Sequence, residues 1–119
     1  MNLDSAVFYT NDIDRIIDYY VSKLGLILEY TTPGRFVSFI FRNGARLSIK
    51  KVTEEREIPG AQSVFIAVTD IENLYNDIKS KGLEIRKELT YKDYGIEFDI
   101  LDPDKNKVVF IILLETLDW

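Results

Sequence analysis

This chain of 119 residues has no cysteine and no histidine. Without cysteine there is no disulfide, thiol nucleophile or thiolate metal site. Without histidine the usual neutral-pH base and the commonest metal ligand are missing, so Ser-His-Asp chemistry and His-rich metal centres are excluded. Basic residues are in deficit: 15 Lys and Arg against 20 Asp and Glu leave a net charge of −5. Nucleic-acid binding depends on a basic footprint, so this charge argues against that partner and none is expected. The longest apolar run, Val108–Leu114, is too short to span a bilayer, and no membrane partner is expected. The opening MNLDSAV lacks the regions of a signal peptide, which makes the cytoplasm the default location.

What is present is ordinary for a globular chain: 46% hydrophobic and 29% charged residues. A chain of this length buries roughly 65% of its unfolded surface, enough for a core.

Residues 5–13 read SAVFYTNDI and residues 63–71 read SVFIAVTDI. Each opens a strand-like run, reaches Asp-Ile, and passes into a helical pattern ending at Lys23-Leu24-Gly25-Leu26 or Lys81-Gly82-Leu83. The chain reads as one module written twice, with Ser5 and Ser63 at matching places.

In the first copy, Leu3–Thr10 reads as a strand and Asp12 as a helix N-cap. Ile13, Ile16, Ile17, Tyr20 and Leu24 form a helical stripe, closed by Gly25. Leu26–Thr32, Arg35–Phe41 and Ala45–Lys51 follow as strands, with turns at Pro33-Gly34 and Asn43-Gly44. The second copy repeats the order. Ser63–Thr69 is a strand, Asp70 an N-cap, and Ile71, Leu74, Tyr75 and Ile78 a stripe ended by Gly82. Glu84–Thr90, Tyr94–Leu101 and Lys107–Leu114 are strands. Module one is 1–51, a polar connector 52–61, and module two 62–119, all within one domain. The connector's Glu54-Glu55-Arg56-Glu57 run reads as a solvated loop. The pattern is α+β, βαβββ twice.

Strand side chains alternate between faces. Val64, Ile66 and Val68 are aliphatic, while Ser63, Phe65, Ala67 and Thr69 share the other face. Leu47 and Ile49 oppose Arg46, Ser48 and Lys50. Ile96, Phe98 and Ile100 oppose Glu97 and Asp99. The apolar faces should pack under the helices, and the mixed faces should line a groove or meet solvent. Lys107–Leu114 is apolar on both faces, so a partner subunit, the other half or a ligand should cover it.

These features resemble the vicinal oxygen chelate superfamily of glyoxalases, bleomycin-resistance proteins and extradiol dioxygenases. The resemblance rests on the doubled βαβββ order, on Asp12-Ile13-Asp14 leading into Lys23-Leu24-Gly25-Leu26, on Val68-Thr69-Asp70-Ile71, and on the turn Asp102-Pro103-Asp104-Lys105-Asn106. Lys105 stands where the family usually has glycine. The resemblance implies two modules whose curved mixed sheets surround a cleft, with helices outside. Metal-dependent members take His or Glu ligands from the first and last strands of each module. The matching positions here are Ser5, Ser48, Ser63 and Val109. None is an ordinary metal ligand, so no metal and no cofactor is expected.

The function implied is that of a bleomycin-resistance-like protein, sequestering a cationic or aromatic small molecule in a metal-free cleft. The cleft residues expected are Ser5, Tyr9, Phe36, Arg46, Ser48, Ser63, Phe65, Tyr94, Glu97, Asp99 and Val109. Aromatic faces stabilise planar or cationic groups. One alternative is a metal-independent lyase- or isomerase-like enzyme using Glu97, Asp99, Tyr9 or Lys50, although no spacing pairs those groups for catalysis. The other is a structural or regulatory dimer with a vestigial cleft, motivated by the Leu113–Trp119 segment, since Trp is enriched at interfaces. A homodimer is expected.

Overall fold

The computed structural model describes residues 1–114. The chain forms two compact units. The first comprises Met1–Gln62 and Pro103–Asn106; the second comprises Ser63–Asp102 and the described residues from Lys107.

In the first unit, β1 (Ala6–Thr10) leads to α1 (Ile13–Ile17), and β2 (Ile27–Thr32), β3 (Phe36–Ile40) and β4 (Arg46–Lys51) follow. The sheet order is β1-β4-β3-β2. β1 runs parallel to β4 and the other pairs are antiparallel. A parallel pair needs a long crossover, which the helical segment begins. Asp12 caps α1 as expected, accepting from the Arg15 N–H at 3.1 Å. The helix packs on β3 and β4. There Ile13, Ile16 and Tyr20 join Phe8, Val37, Phe39, Leu47 and Ile49 in a buried core.

The helical stripe departs from the even 3.6-residue spacing read in the sequence. After Ile17 the chain widens into a π-helical segment, Asp18–Lys23. The Leu24 N–H reaches the Tyr19 carbonyl at 3.2 Å, five residues back. The wider turn lets two consecutive tyrosines, Tyr19 and Tyr20, both enter the core, with rings edge-on at 5.2 Å. Ile17 and Leu24 are left half-buried.

The second unit repeats the plan with β5 (Ser63–Ala67), α2 (Ile71–Ser80), β6 (Ile85–Lys92), β7 (Gly95–Leu101) and β8 (Lys107–Leu113), in sheet order β5-β8-β7-β6. β5 is again parallel to its central neighbour. Ile71, Tyr75 and Ile78 of α2 are buried with Phe98, Ile100, Val108 and Phe110. The Phe98 ring lies 5.1 Å from both Tyr75 and Phe110. Asp70 differs from its counterpart Asp12: its carboxylate caps no helix N–H and accepts instead from Asn73 Nδ2 at 2.7 Å. Gly25 and Gly82 end the two helical segments at φ +75° and +71°, the left-handed backbone that favours glycine.

In the last strand Val108, Val109 and Phe110 are buried, Ile111 and Ile112 half-buried, and Leu113 and Leu114 exposed. Pairing explains this, because β5 flanks β8 only as far as Ile111, leaving β7 alone beside the strand's end. The 115–119 part of the proposed interface segment, Trp119 included, lies outside the described residues. In the connector, Glu57 is not solvated but buried. It accepts from Lys50 Nζ at 2.7 Å and from the Thr53 and Glu54 N–H groups at 2.8 and 3.2 Å. Among the described residues no helix is long and apolar enough to cross a membrane.

Candidate functional site: the mixed faces of the two sheets

On the first sheet the pairing sets Ser38 opposite Ser48, Phe36 opposite Lys50 and Ile40 opposite Arg46. Parallel pairing adds Val7 beside Ser48 and Tyr9 beside Lys50. Ser5, one residue before β1, Tyr9, Phe36, Arg46 and Ser48 therefore share the face turned away from the helix. Ser48 is buried there. Glu29 also reaches this face, since its neighbour Leu28 pairs with core-facing Phe39 and strand side chains alternate. It accepts from Arg46 Nε and from the Ser38 hydroxyl, both at 2.9 Å. Those hydrogen bonds, Arg46 first, lower the Glu29 carboxyl below its ordinary range. The register shift after Leu28 sets Tyr30, which pairs with Ser38, on the same face, a placement that parity alone does not give.

On the second sheet Phe65 and Asp99 flank Val109 from either side, and Glu97 pairs with Ile111. Ser63 pairs with Lys107 at the sheet's end. Ser63 is exposed, Val109 is buried, and Phe65 shows 63% of its surface to solvent.

The two carboxylates do not stand as free negative charge. Asp99 is bridged by Arg86, Nε at 2.6 Å and Nη2 at 2.8 Å. Glu97 Oε1 accepts from Lys87 at 3.0 Å and the Tyr94 hydroxyl at 2.9 Å, with Lys92 at 3.3 Å. Burial pushes the Glu97 carboxyl up, but the bonds from Lys87, Tyr94 and Lys92 outweigh it, and the net direction is down. The same bond to Glu97, aided by burial, raises the Tyr94 phenol. Both groups move away from neutrality, the wrong direction for general acid–base catalysis near pH 7. Arg86, Lys87 and Lys92 were not read as site residues. Their signal was the dense charge on one edge strand, IRKELTYK.

Ser5 and Ser48 lie on the mixed face of the first sheet and Ser63 and Val109 on that of the second. Valine offers no donor and serine only a neutral hydroxyl, so this set does not fit a divalent metal. Among the described residues no group of three or more Asp or Glu side chains is gathered to hold one.

Doubled βαβββ units with polar-lined sheet faces define a recognisable class of α+β protein. The chain belongs to the Glyoxalase/Bleomycin resistance protein/Dioxygenase superfamily, whose model matches residues 2–110. No curated protein matches it. Solved structures with the same fold include TioX from Micromonospora sp. ML1, with TM-score 0.78 and 18% identity over 96% of this chain and 100% of that one. TnmS3, an antibiotic binding protein from Streptomyces sp. CB03234, has TM-score 0.83 and 16% identity over 93% and 94%. A lactoylglutathione lyase from Agrobacterium tumefaciens has TM-score 0.76 and 16% identity over 92% of each chain.

Proposed function

We propose that this protein binds a small organic molecule on the mixed face of its second sheet and does so without a metal. The observation that carries this reading is Phe65, an aromatic side chain 63% exposed on a strand beside the apolar Val109, in a region whose carboxylates already have cations. An open aromatic surface with balanced charge favours a planar or apolar ligand. The antibiotic binding function of TnmS3 supports the reading by analogy of fold. The Ser5, Ser48, Ser63 and Val109 set supports its metal independence. A working homodimer is part of the proposal, supported by the exposed apolar Leu113 and Leu114.

The test is a thermal-shift panel of aromatic and apolar compounds, with metal analysis of the purified protein. A true ligand at ~100 times its dissociation constant adds ~2.7 kcal/mol of stability. Phe65→Ala and Ser63→Trp should each abolish that gain. Stoichiometric bound metal would overturn the metal-free claim, and a ligand whose binding survives both changes would overturn the location. Light scattering at the mass of a single 13.8 kDa chain would overturn the dimer.

A further inference from the structure

Three cations of the first unit, Arg35, Arg42 and Lys51, have no side-chain hydrogen bond or ion pair among the described residues, although the chain carries a net −5. A cavity of about 780 Å³ lies at the end of the first sheet, lined by the 32–36 turn and by 50–53 at the end of β4. Arg35, Lys50 and Lys51 all line it. Lys50 is committed, held by Glu57 and by the Thr53 hydroxyl, both at 2.7 Å. Arg35 and Lys51 are not: neither side chain has a hydrogen bond or ion pair among the described residues. Elsewhere Arg15, Arg46, Arg86, Lys87 and Lys92 are all paired with carboxylates.

Arg35 and Lys51 are also fixed beside each other. The Lys51 N–H donates to the Arg35 carbonyl at 2.8 Å, which carries the β3–β4 ladder one step beyond Phe36 and Lys50. Like charges directly opposite across a ladder repel. Strand alternation puts this pair on the other side from Phe36 and Lys50, and the cavity curls round the strand ends to meet both pairs. An anion placed between the two cations would relieve their repulsion. Phe36, half-buried and stacked on Tyr30 at 5.8 Å, adds an apolar wall.

We propose that this cavity is an anion site, in which Arg35 and Lys51 grip a carboxylate or phosphate group whose organic remainder lies against Phe36. A guanidinium offers a carboxylate or phosphate two parallel N–H donors, and a lysine supplies a mobile second charge. All the lining residues belong to the first unit, so the site stands whether or not the mixed face of the second sheet holds the ligand proposed above.

Amide NMR titration of the full chain tests it, with inorganic phosphate and benzoate as separate probes and chloride keeping ionic strength constant. Saturable shifts confined to 32–36 and 50–53 are expected. Response to benzoate alone identifies an aromatic carboxylate, to phosphate alone a phosphate group, and to both a general anion site. The Arg35→Gln/Lys51→Gln double variant should weaken binding by about tenfold or more, from the loss of two charge-assisted bonds. Lys51→Glu, which gives Arg35 an internal partner, should abolish it. No saturation with either probe, shifts spread over all basic residues, or undiminished binding in the double variant would overturn the proposal. Binding by the Ser63→Trp variant should be unchanged, which separates this site from the mixed face of the second sheet.

Discussion

Thr10 of β1 donates its hydroxyl to the Asp104 carboxylate at 2.5 Å, across 94 residues of chain. The same carboxylate accepts from Arg15 Nη2 at 2.9 Å, and its side chain is only 5% exposed. Asp104→Ala removes the acceptor and leaves buried Thr10 without that bond. A loss of about 2 kcal/mol is expected, typical of a buried polar group losing a charged partner. Urea unfolding of the variant against the parent measures it.

Two backbone changes in the same region should act in opposite directions. Gly60 has φ +88°, and a Cβ there would lie 2.8 Å from the Asp104 carbonyl oxygen. Gly60→Ala is expected to cost about 1–3 kcal/mol from strain and clash. Lys105 holds φ +69° without being glycine. Left-handed backbone costs an L-residue roughly 1–2 kcal/mol, and glycine returns about half of that as unfolded-state entropy, so Lys105→Gly should stabilise by about 0.5–1 kcal/mol. Midpoints of chemical unfolding for the two variants should straddle the parent.

Acid should weaken the connector through Glu57. The hydrogen bond from Lys50 and the one from the Thr53 backbone N–H bring its carboxyl down to about 2. A lowered folded-state value means that Glu57 stabilises the fold in full above its ordinary value of 4.5 and progressively less as pH falls toward 2. Glu57→Gln should therefore be less stable than the parent at pH 7, and the gap should close by pH 2. Thermal melts across that window report the difference.

Tyr91 and Tyr94 should ionise late. Tyr91 donates to Glu72 at 3.0 Å and Tyr94 to Glu97 at 2.9 Å, and each bond favours the neutral phenol. Both are raised above the ordinary value of 10. Spectrophotometric titration should show a late tyrosine component that shrinks in Tyr94→Phe.

Two phenylalanines on the second sheet should behave differently. Phe98 is fully buried between Tyr75 and Phe110, and Phe98→Ala should cost about 3–5 kcal/mol. Phe65 is mostly exposed, and Phe65→Ala should shift stability by no more than about 0.5 kcal/mol while removing ligand binding. Denaturation paired with a binding assay separates core from site.

Local periodicity made most of the fold legible. The alternation of Leu47 and Ile49 against Arg46 and Ser48 predicted which face packs under the helix, because a strand's period is fixed by its backbone. It failed where the backbone leaves its regular period. The bulge after Leu28 set Tyr30 on the mixed face beside Glu29, and the π-helical turn buried Tyr19 beside Tyr20. Neither irregularity leaves a compositional mark. Charge balance is illegible for a related reason. Glu97 and Asp99 stand among the expected cleft residues, yet Lys87, Lys92 and Arg86 on β6 already meet them, and pairing depends on register between strands rather than on position within one.

The amino-acid sequence by itself determined the doubled βαβββ order, the helix-facing cores and the absence of histidine and cysteine chemistry, since each follows from residue type and local spacing. Only the tertiary structure decided which charges are cancelled and which remain. It buried Glu57 against Lys50, matched Glu97 and Asp99 with cations from a neighbouring strand, and left Arg35 and Lys51 side by side at a cavity. Coulomb interactions depend on distance in space, and that distance is set by strand pairing and turn geometry.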